Sequence, residues 1–181
     1  MNTMNIRKAI HSDIPTIAAL HIEGWKGAYG GIVDQTYLDT LNLDMRIKSW
    51  TEWIATGETD TFLAEEGGKG VGFVTVGRTK TPPPGSSPIR PSHSGEIYAL
   101  YLLPDIWRQG IGTALLKHAA RELKAKRHTT MCLWVLDGNL RAKGFYEKLG
   151  GQKLGGKMIE IGPSSLKEVC YGWRDTTTLC S

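Results

Sequence analysis

The segment DIWRQGIGTALLKHAARE, residues 105–122, carries two glycines directly before an amphipathic helical pattern. A helix begins with unpaired backbone N–H groups and the positive end of its dipole. Because glycine has no side chain, Gly110 and Gly112 let a phosphate approach those groups closely. Arg108 adds a positive charge beside the loop, and Thr113 adds a hydroxyl at the start of the helix. The segment predicts a pyrophosphate-binding loop, with a turn that only lets the helix pack closely on a strand as the alternative.

The spacing of these glycines excludes two other phosphate-binding motifs. Leu115 stands where a GxGxxG motif has its third glycine, and no Gly-Lys-Ser/Thr follows as in a P-loop. Gly-x-Gly alone is a weak signal, so the neighbouring segments decide its meaning.

Length and composition indicate one globular domain over residues 1–181. The chain has 181 residues, of which 40% are hydrophobic and 22% charged, and a formal net charge of +4. Its three cysteines are widely spaced and form no Cys/His cluster, so we expect a reduced, cytoplasmic protein without a metal site. We expect no signal peptide and no membrane span, because no apolar segment suits either. Lys and Arg are not interleaved with aromatic residues, so we expect no nucleic-acid partner.

Hydrophobic patterns divide the chain into strands and helices. A proline-rich loop is expected at 81–95, where five prolines occur, and a flexible tail is expected over the last few residues. Helical patterns and capping residues predict helices within 11–31, 34–57, 110–126 and 139–150. Strands are expected at 5–10, 60–66, 70–80, 96–103, 129–136, 152–161 and 166–174.

Two motifs, in this order and spacing, resemble those of the GNAT superfamily of N-acetyltransferases. The first is Arg/Gln-x-x-Gly-x-Gly/Ala between a strand and a helix, which WRQGIGTALL fits from Arg108 onward, with Trp107 at the first position. The second is LWVLDGNLRAKGFYEKLGG, in which Gly151 stands where phenylalanine is usual. Its matching residues are Asn139, Ala142, Phe145, Tyr146 and Gly150.

The resemblance implies an α/β fold with a mixed, mostly antiparallel seven-stranded sheet, splayed between strands 4 and 5 and flanked by helices. It also implies that acetyl-CoA is the co-substrate and that its pantetheine arm inserts in the splayed gap. Asn139 is fully explained as a helix N-cap, and the family also uses this residue to bind the pantetheine arm. The residues expected to bind acetyl-CoA are Leu102, Leu103, Arg108, Gln109, Gly110, Ile111, Gly112, Thr113, Asn139 and Tyr146.

Two side chains are candidates for the proton transfers of acetyl transfer. The departing thiolate needs a proton, and a phenol is protonated at neutral pH, so Tyr146 is the expected donor, with a role as a core aromatic residue as the alternative. The amine must lose a proton, and the resemblance places a glutamate base, acting directly or through water, at Glu96. Glu96 could instead be an exposed strand-end carboxylate, and His93 is a weaker rival as base.

Trp25 and Tyr29 lie where enzymes of this superfamily shape the acceptor pocket, so we expect them to bind the acceptor. The expected reaction is direct attack of a small-molecule primary amine on acetyl-CoA in a ternary complex. An enzyme of the same fold that acetylates a protein N-terminus or lysine, and a non-catalytic acetyl-CoA sensor, remain as alternatives. The sequence leaves open whether the protein is a homodimer.

Overall fold

The computed structural model describes residues 4–87, 89 and 91–181 of the chain. Its strands are β1 (Met4–Lys8), β2 (Thr59–Glu66), β3 (Lys69–Arg78), β4 (Gly95–Leu102), β5 (Met131–Leu136), β6 (Gln152–Ile161) and β7 (Ser164–Trp173). They form one seven-stranded sheet in the order β1-β2-β3-β4-β5-β7-β6. Every neighbouring pair is antiparallel except β4 and β5, which are parallel. The predicted mixed, mostly antiparallel sheet is therefore confirmed.

Helices cover both faces of this sheet. They are α1 (Ile14–Tyr29), α2 (Gln35–Asp39), α3 (Leu43–Ala55), α4 (Ile111–Ala125) and α5 (Leu140–Lys148). Helices α1 and α3 bury Ile17 and Trp50 against Phe73 of β3 on one face. On the opposite face, α4 buries a stripe that includes Leu115 and Leu116 against the sheet. The helical spacing of that stripe is what the sequence pattern of 110–126 indicates.

The sheet opens between β4 and β5 because their pairing is short. Only Gly95–Ile97 pair with Met131–Leu133. On its other side, β4 has a register shift, since Thr75 pairs with Ala99 while Val76 pairs with Ile97. Tyr98 is therefore the additional residue of a β-bulge, which bends a strand locally. The two strands separate from this point onward, and the predicted splay between strands 4 and 5 is confirmed.

The proline-rich loop joins β3 to β4 and is anchored at both ends. The Thr79 hydroxyl donates a hydrogen bond to the His93 carbonyl oxygen at 2.7 Å, and Trp134 Nε1 donates to the Thr81 carbonyl oxygen at 2.8 Å. Pro88 and Arg90 of the predicted 81–95 loop lie outside the described residues, as do residues 1–3 of the predicted 1–181 domain.

The last few residues, expected to be a flexible tail, include a short helical segment that packs on the core. Thr176–Leu179 form a 3-10 helix, and Leu179 is buried in the same core cluster as α4. The Thr176 N–H donates to the Thr129 carbonyl oxygen at 2.8 Å, which fixes this segment beside the start of β5. The burial of Leu179 favours this packed position for a segment that is otherwise polar.

None of the helices formed by the described residues has both the length and the hydropathy needed to cross a membrane.

Candidate active site

A cavity of about 500 Å³ occupies the gap between β4 and β5. One side of it, called here the glycine-loop wall, consists of Arg108, Gly110, Gly112, Thr113 and Arg141. The other side, called here the aromatic wall, consists of Tyr29, Tyr98, Tyr101 and Trp134. The cavity thus joins a charged, glycine-rich wall to an uncharged, aromatic one.

The glycine loop has the backbone conformation that its glycines allow. Arg108 and Gly110 have positive φ angles of 64° and 85°. Gly110 is the N-cap of α4, has no side chain to cap the helix, and faces open space where a Cβ would stand. Successive residues in alternating right- and left-handed conformations direct their N–H groups into one concavity that suits an anion. A Cβ on Gly112 would lie 3.3 Å from Leu102 Cδ1, so close packing also favours glycine there.

Two residues of the predicted loop, Ile111 and Gln109, do not present their side chains to the cavity. The Ile111 side chain is buried in the core, so only its backbone faces the loop. Gln109 does not line the cavity, because its side-chain amide donates to the Asp105 carbonyl oxygen at 3.2 Å. Thr113 lines the cavity as expected.

The backbone N–H groups of Leu100 and Leu102 in β4 point toward the gap, and that of Leu103 does not. The Leu103 N–H donates to the Val71 carbonyl oxygen of β3 at 3.0 Å. N–H groups alternate between the two edges of a strand, so those of Leu100 and Leu102 point away from β3 and toward the gap. The expectation for Leu102 agrees with this geometry, and the expectation for Leu103 does not. Leu100 was not predicted from the sequence, because the direction of its N–H depends on the strand register after the bulge.

Tyr146 and Asn139 of the second motif both line the cavity. Tyr146 is 8% exposed, and burial raises the pKa of its hydroxyl well above the usual range, so the phenol is protonated at neutral pH. The Asn139 Oδ1 accepts from the Ala142 N–H at 3.2 Å and caps α5. The capping role leaves the amide nitrogen of Asn139 as a donor, so both predicted roles of this residue are compatible.

Two cations that sequence reasoning missed, Arg141 and Lys148, also line the cavity. The guanidinium carbon of Arg141 lies 3.1 Å from the centroid of the Trp107 ring. Partial burial, followed by the positive charge of Arg108, lowers the pKa of Arg141. Among the described residues, no carboxylate forms a salt bridge with these three cations. The sequence signal available for Arg141 and Lys148 was their position in the LRAKGFYEK helix, whereas Arg108 was predicted from the glycine loop.

The aromatic wall includes one of the two predicted acceptor residues. The Tyr29 and Tyr101 hydroxyl oxygens lie 3.1 Å apart, and burial raises the pKa of both. Trp25 does not line the cavity but packs edge-on against Tyr29, with ring centroids 4.9 Å apart. A Cβ on Gly24 would lie 2.8 Å from Tyr101 Cβ, so glycine at this position lets Tyr101 approach α1.

Glu96 and His93, the two candidate bases, are buried and do not line the cavity, and His93 lines a different pocket together with Pro84 and Arg174. The Glu96 carboxylate accepts hydrogen bonds from the backbone N–H groups of Lys80 and Thr81 at 2.8 and 2.9 Å. Burial raises the pKa of Glu96, although the hydrogen bonds from Thr81 and Lys80 oppose that shift. His93 Nδ1 lies 2.9 Å from the Ser92 hydroxyl, and burial lowers the pKa of the imidazole. Glu96 is thus not an exposed strand-end carboxylate, and its role as base stays a prediction.

The described residues contain no group of three or more metal-ligating side chains. The cavity lining instead combines aliphatic side chains, such as Leu102 and Val135, with cations and aromatic rings.

Comparisons with known proteins agree with this geometry. Residues 28–151 match the family described as the acetyltransferase (GNAT) family. The chain is 32% identical over 177 residues to an uncharacterized N-acetyltransferase of Bacillus subtilis, covering 97% of this chain and 96% of that protein. It is 32% identical over 152 residues to a probable N-acetyltransferase of Mycobacterium tuberculosis, covering 81% of this chain and 79% of that protein.

Solved structures share the fold at lower sequence identity. An N-acetyltransferase of Staphylococcus aureus superposes with a TM-score of 0.70 at 22% identity, covering 96% of this chain and 99% of that one. The PaiA N-acetyltransferase of Thermoplasma acidophilum, solved in complex with coenzyme A, superposes with a TM-score of 0.66 at 21% identity, covering 92% and 98%. With the family match and the bacterial relatives, they establish the class of enzyme: this chain is an acyltransferase that belongs to the acetyltransferase (GNAT) family.

Proposed function

We propose that this N-acetyltransferase transfers an acetyl group from acetyl-CoA to the primary amine of a small molecule by direct attack in a ternary complex. The observation that carries the proposal is the single cavity that joins the glycine-loop wall to the aromatic wall. A donor bound at one wall and an acceptor at the other would meet inside the gap between β4 and β5. Direct transfer requires both substrates to be bound next to each other, since no covalent acetyl-enzyme carries the acetyl group from one to the other.

The glycine-loop wall supports acetyl-CoA as the donor. Arg108 and Gly110 hold the left-handed conformations that make an anion-binding concavity at the start of α4. Arg108, Arg141 and Lys148 add three positive charges that no described carboxylate neutralises by a salt bridge. The structural relative from Thermoplasma acidophilum was solved with coenzyme A. The phosphate groups of coenzyme A would match the positive charges and the N–H groups of this wall.

The residues in the gap suit the acyl-transfer steps. A neutral amine forms the C–N bond to the thioester carbonyl, and the negative charge that develops on oxygen requires hydrogen-bond donors. The N–H groups of Leu100 and Leu102 point toward the gap and can supply them. When the C–S bond breaks, Tyr146 donates its phenolic proton to the thiolate and recovers a proton from solvent. The raised pKa of Tyr146 keeps that proton in place until it is needed.

Glu96 is the proposed base that takes the proton from the amine. Since its carboxylate does not line the cavity, the proton must travel through water rather than directly. The raised pKa of Glu96 makes it a better proton acceptor than an exposed glutamate. His93 is the rival, but its imidazole also lies outside the cavity.

The aromatic wall favours a compact amine carried on an apolar body. None of Tyr29, Tyr98, Tyr101 and Trp134 carries a charge at neutral pH. The Lys157 and Lys80 ammonium groups already lie 4.6 and 6.0 Å from the ring centroids of Trp134 and Tyr98, so they would repel a second ammonium group in the acceptor. An apolar or aromatic body gains stacking contacts there instead.

A reducing compartment such as the cytoplasm is the proposed location. Cys132, Cys170 and Cys180 all carry free thiols. Disulfides persist mainly in oxidising compartments, so three unpaired cysteines suit a reduced environment.

A thiol-release assay with acetyl-CoA and a matched amine panel tests the proposal. We expect butylamine to be a better acceptor than diaminobutane by at least about tenfold in kcat/KM, because only the second ammonium differs. Phenethylamine should be better than butylamine, because its ring can stack. A preference for diaminobutane, or for a peptide with a free N-terminus, would contradict the small apolar acceptor and leave the acetyltransferase assignment standing.

A further inference from the structure

Trp107 and Arg141 form a stacked pair at the mouth of the cavity. The guanidinium carbon of Arg141 lies 3.1 Å from the Trp107 ring centroid. Trp107 directly precedes the glycine loop, whereas Arg141 lies in the first turn of α5, and both line the cavity. Tryptophan is the best aromatic partner for a cation, and arginine is the cation that most often stacks on it. The contact therefore bridges the two segments that carry the sequence motifs.

The Trp107 ring is itself held in place from the opposite direction. A Cβ on Gly27 of α1 would lie 3.4 Å from both Trp107 Cη2 and Trp107 Cζ2. The ring edge therefore packs directly on the backbone of α1, and the missing side chain of Gly27 makes room for it. A ring fixed in this way restricts the orientations open to a guanidinium that stacks on it.

Arg141 nevertheless lacks an anionic partner. It forms no salt bridge with a carboxylate among the described residues, and the positive charge of Arg108 lowers its pKa after the larger effect of burial. Two guanidinium groups at one cavity mouth repel each other unless an anion lies between or beside them. A planar guanidinium presents its donors in a fork that matches phosphate oxygens.

We infer that Arg141 binds a phosphate group of the CoA moiety and that Trp107 is a positioning residue that orients the Arg141 guanidinium for that contact. The inference rests on the proposed function for the identity of the ligand. The contact with phosphate belongs to Arg141, and Trp107 acts only through it. Phosphate chemistry alone admits two sources, the pyrophosphate and the 3′-phosphate of CoA.

Calorimetric titration of CoA into the free protein measures this contact without turnover. Arg141→Gln should raise the Kd for CoA by about tenfold, the loss expected for one charge-assisted hydrogen bond. Trp107→Leu should raise the Kd by a smaller factor, and Trp107→Phe, which keeps a ring, should restore most of the affinity. Arg121→Gln removes the same charge from an exposed position of α4 and is the matched control, for which the Kd should not change.

The double variant separates positioning from direct contact. If Trp107 acts through Arg141, Trp107→Leu adds no further loss of affinity in the Arg141→Gln background, because coupled residues are not additive. Repeating the titrations with dephospho-CoA then identifies the phosphate: a defect that persists assigns the pyrophosphate, and one that vanishes assigns the 3′-phosphate.

Two results would overturn the inference. An unchanged Kd for Arg141→Gln would show that Arg141 does not bind phosphate. Full additivity in the double variant would show that Trp107 does not work through Arg141. Failure of the unaltered protein to bind CoA at all would instead refute the proposed function, so the two failures are distinguishable.

Discussion

The hydroxyl oxygens of Tyr29 and Tyr101 lie 3.1 Å apart on the aromatic wall of the cavity. One hydroxyl donates to the other, so the pair keeps one further proton and free lone pairs for a bound molecule. An amine that enters the gap between β4 and β5 can donate an N–H to this pair. The pair thereby offers orientation to the acceptor without adding a charge.

Tyr29→Phe should therefore weaken binding of the acceptor amine and leave binding of acetyl-CoA unchanged. We expect the KM for the amine to rise by about 2- to 10-fold, the range for one neutral hydrogen bond, because the ring and its packing remain. Steady-state kinetics with each substrate varied in turn checks this. The KM for acetyl-CoA is the internal control, and an equal rise in both KM values would indicate a general disturbance of the cavity.

Gly112→Asp should abolish the rise in melting temperature that acetyl-CoA produces. A ligand that binds only the native state stabilises it by mass action, and a carboxylate in the glycine loop repels the phosphates. Gly68→Asp is the control, because Gly68 lies in the exposed turn between β2 and β3, does not line the cavity, and has no atom within 4 Å of a Cβ. An acetyl-CoA shift that survives in Gly112→Asp would mean that the phosphates bind elsewhere.

Tyr146→Phe should keep the affinity for acetyl-CoA and lower kcat by roughly 10²-fold, the low end for a lost general acid. Only the hydroxyl is removed, so the ring still packs between Phe145 and Tyr171. Rapid-mixing kinetics together with equilibrium titration of acetyl-CoA separate the two effects. Full activity in the phenylalanine variant would assign Tyr146 to the core alone.

Glu96→Gln should lose activity most severely near neutral pH. Acceptor amines are mostly charged there, and at about pH 9–10 a larger fraction is already neutral, so part of the loss should return. The glutamine carbonyl can still accept from Lys80 and Thr81, so the loop anchor should persist. A pH–rate profile of both proteins is the measurement. An equal loss at every pH would indicate that Glu96 positions the loop or the substrate.

The Arg7–Asp13 ion pair, which does not line the cavity, makes a pH-dependent contribution to the free energy of unfolding. Arg7 donates to both Asp13 oxygens at 2.8 and 2.9 Å, and these hydrogen bonds lower the pKa of the Asp13 carboxyl. The stabilisation is complete above the unfolded-state pKa of about 3.9 and is lost as the pH falls through the lower folded-state pKa.

Asp13→Asn should therefore destabilise the protein near neutral pH by about 1 kcal/mol, since a half-buried charge-assisted contact, partly screened by solvent on the Arg7 side, is broken. Urea unfolding at neutral and acidic pH measures the difference, which should shrink in acid. Asp44→Asn, at an exposed carboxyl of α3, is the control. A difference from the unaltered protein that does not change with pH would contradict the linkage.

Local sequence signals were sufficient for the parts of the site that depend on local structure. Gly110 and Gly112 before an amphipathic helix predict the loop, because their conformations and cap depend on adjacent residues. Asn139 as N-cap of α5 and the succession of strands were predictable for the same reason. The splay came from the family resemblance, and the structure attributes it to the bulge at Tyr98.

Contacts between distant segments could not be predicted in this way. Trp25 and Tyr29 share one face of α1, yet only Tyr29 lines the cavity, whereas the Trp25 ring packs edge-on against His21 and Tyr29. The stacking of Arg141 on Trp107 depends on how α5 approaches the glycine loop. The N–H of Leu100, and not that of Leu103, points toward the gap because of the strand register. One inserted residue reverses which edge of the strand each N–H faces.

In the proposed mechanism, the gap between β4 and β5 holds acetyl-CoA and an amine together for direct transfer. Mass spectrometry of the amine product, combined with thiol release, tests it most directly in the unaltered protein and in Gly112→Asp. The unaltered protein should release one CoA thiol for each acetylated amine, and Gly112→Asp should yield neither product above background. Binding of acetyl-CoA without acetylation of any amine in the panel, or unchanged turnover in Gly112→Asp, would contradict it.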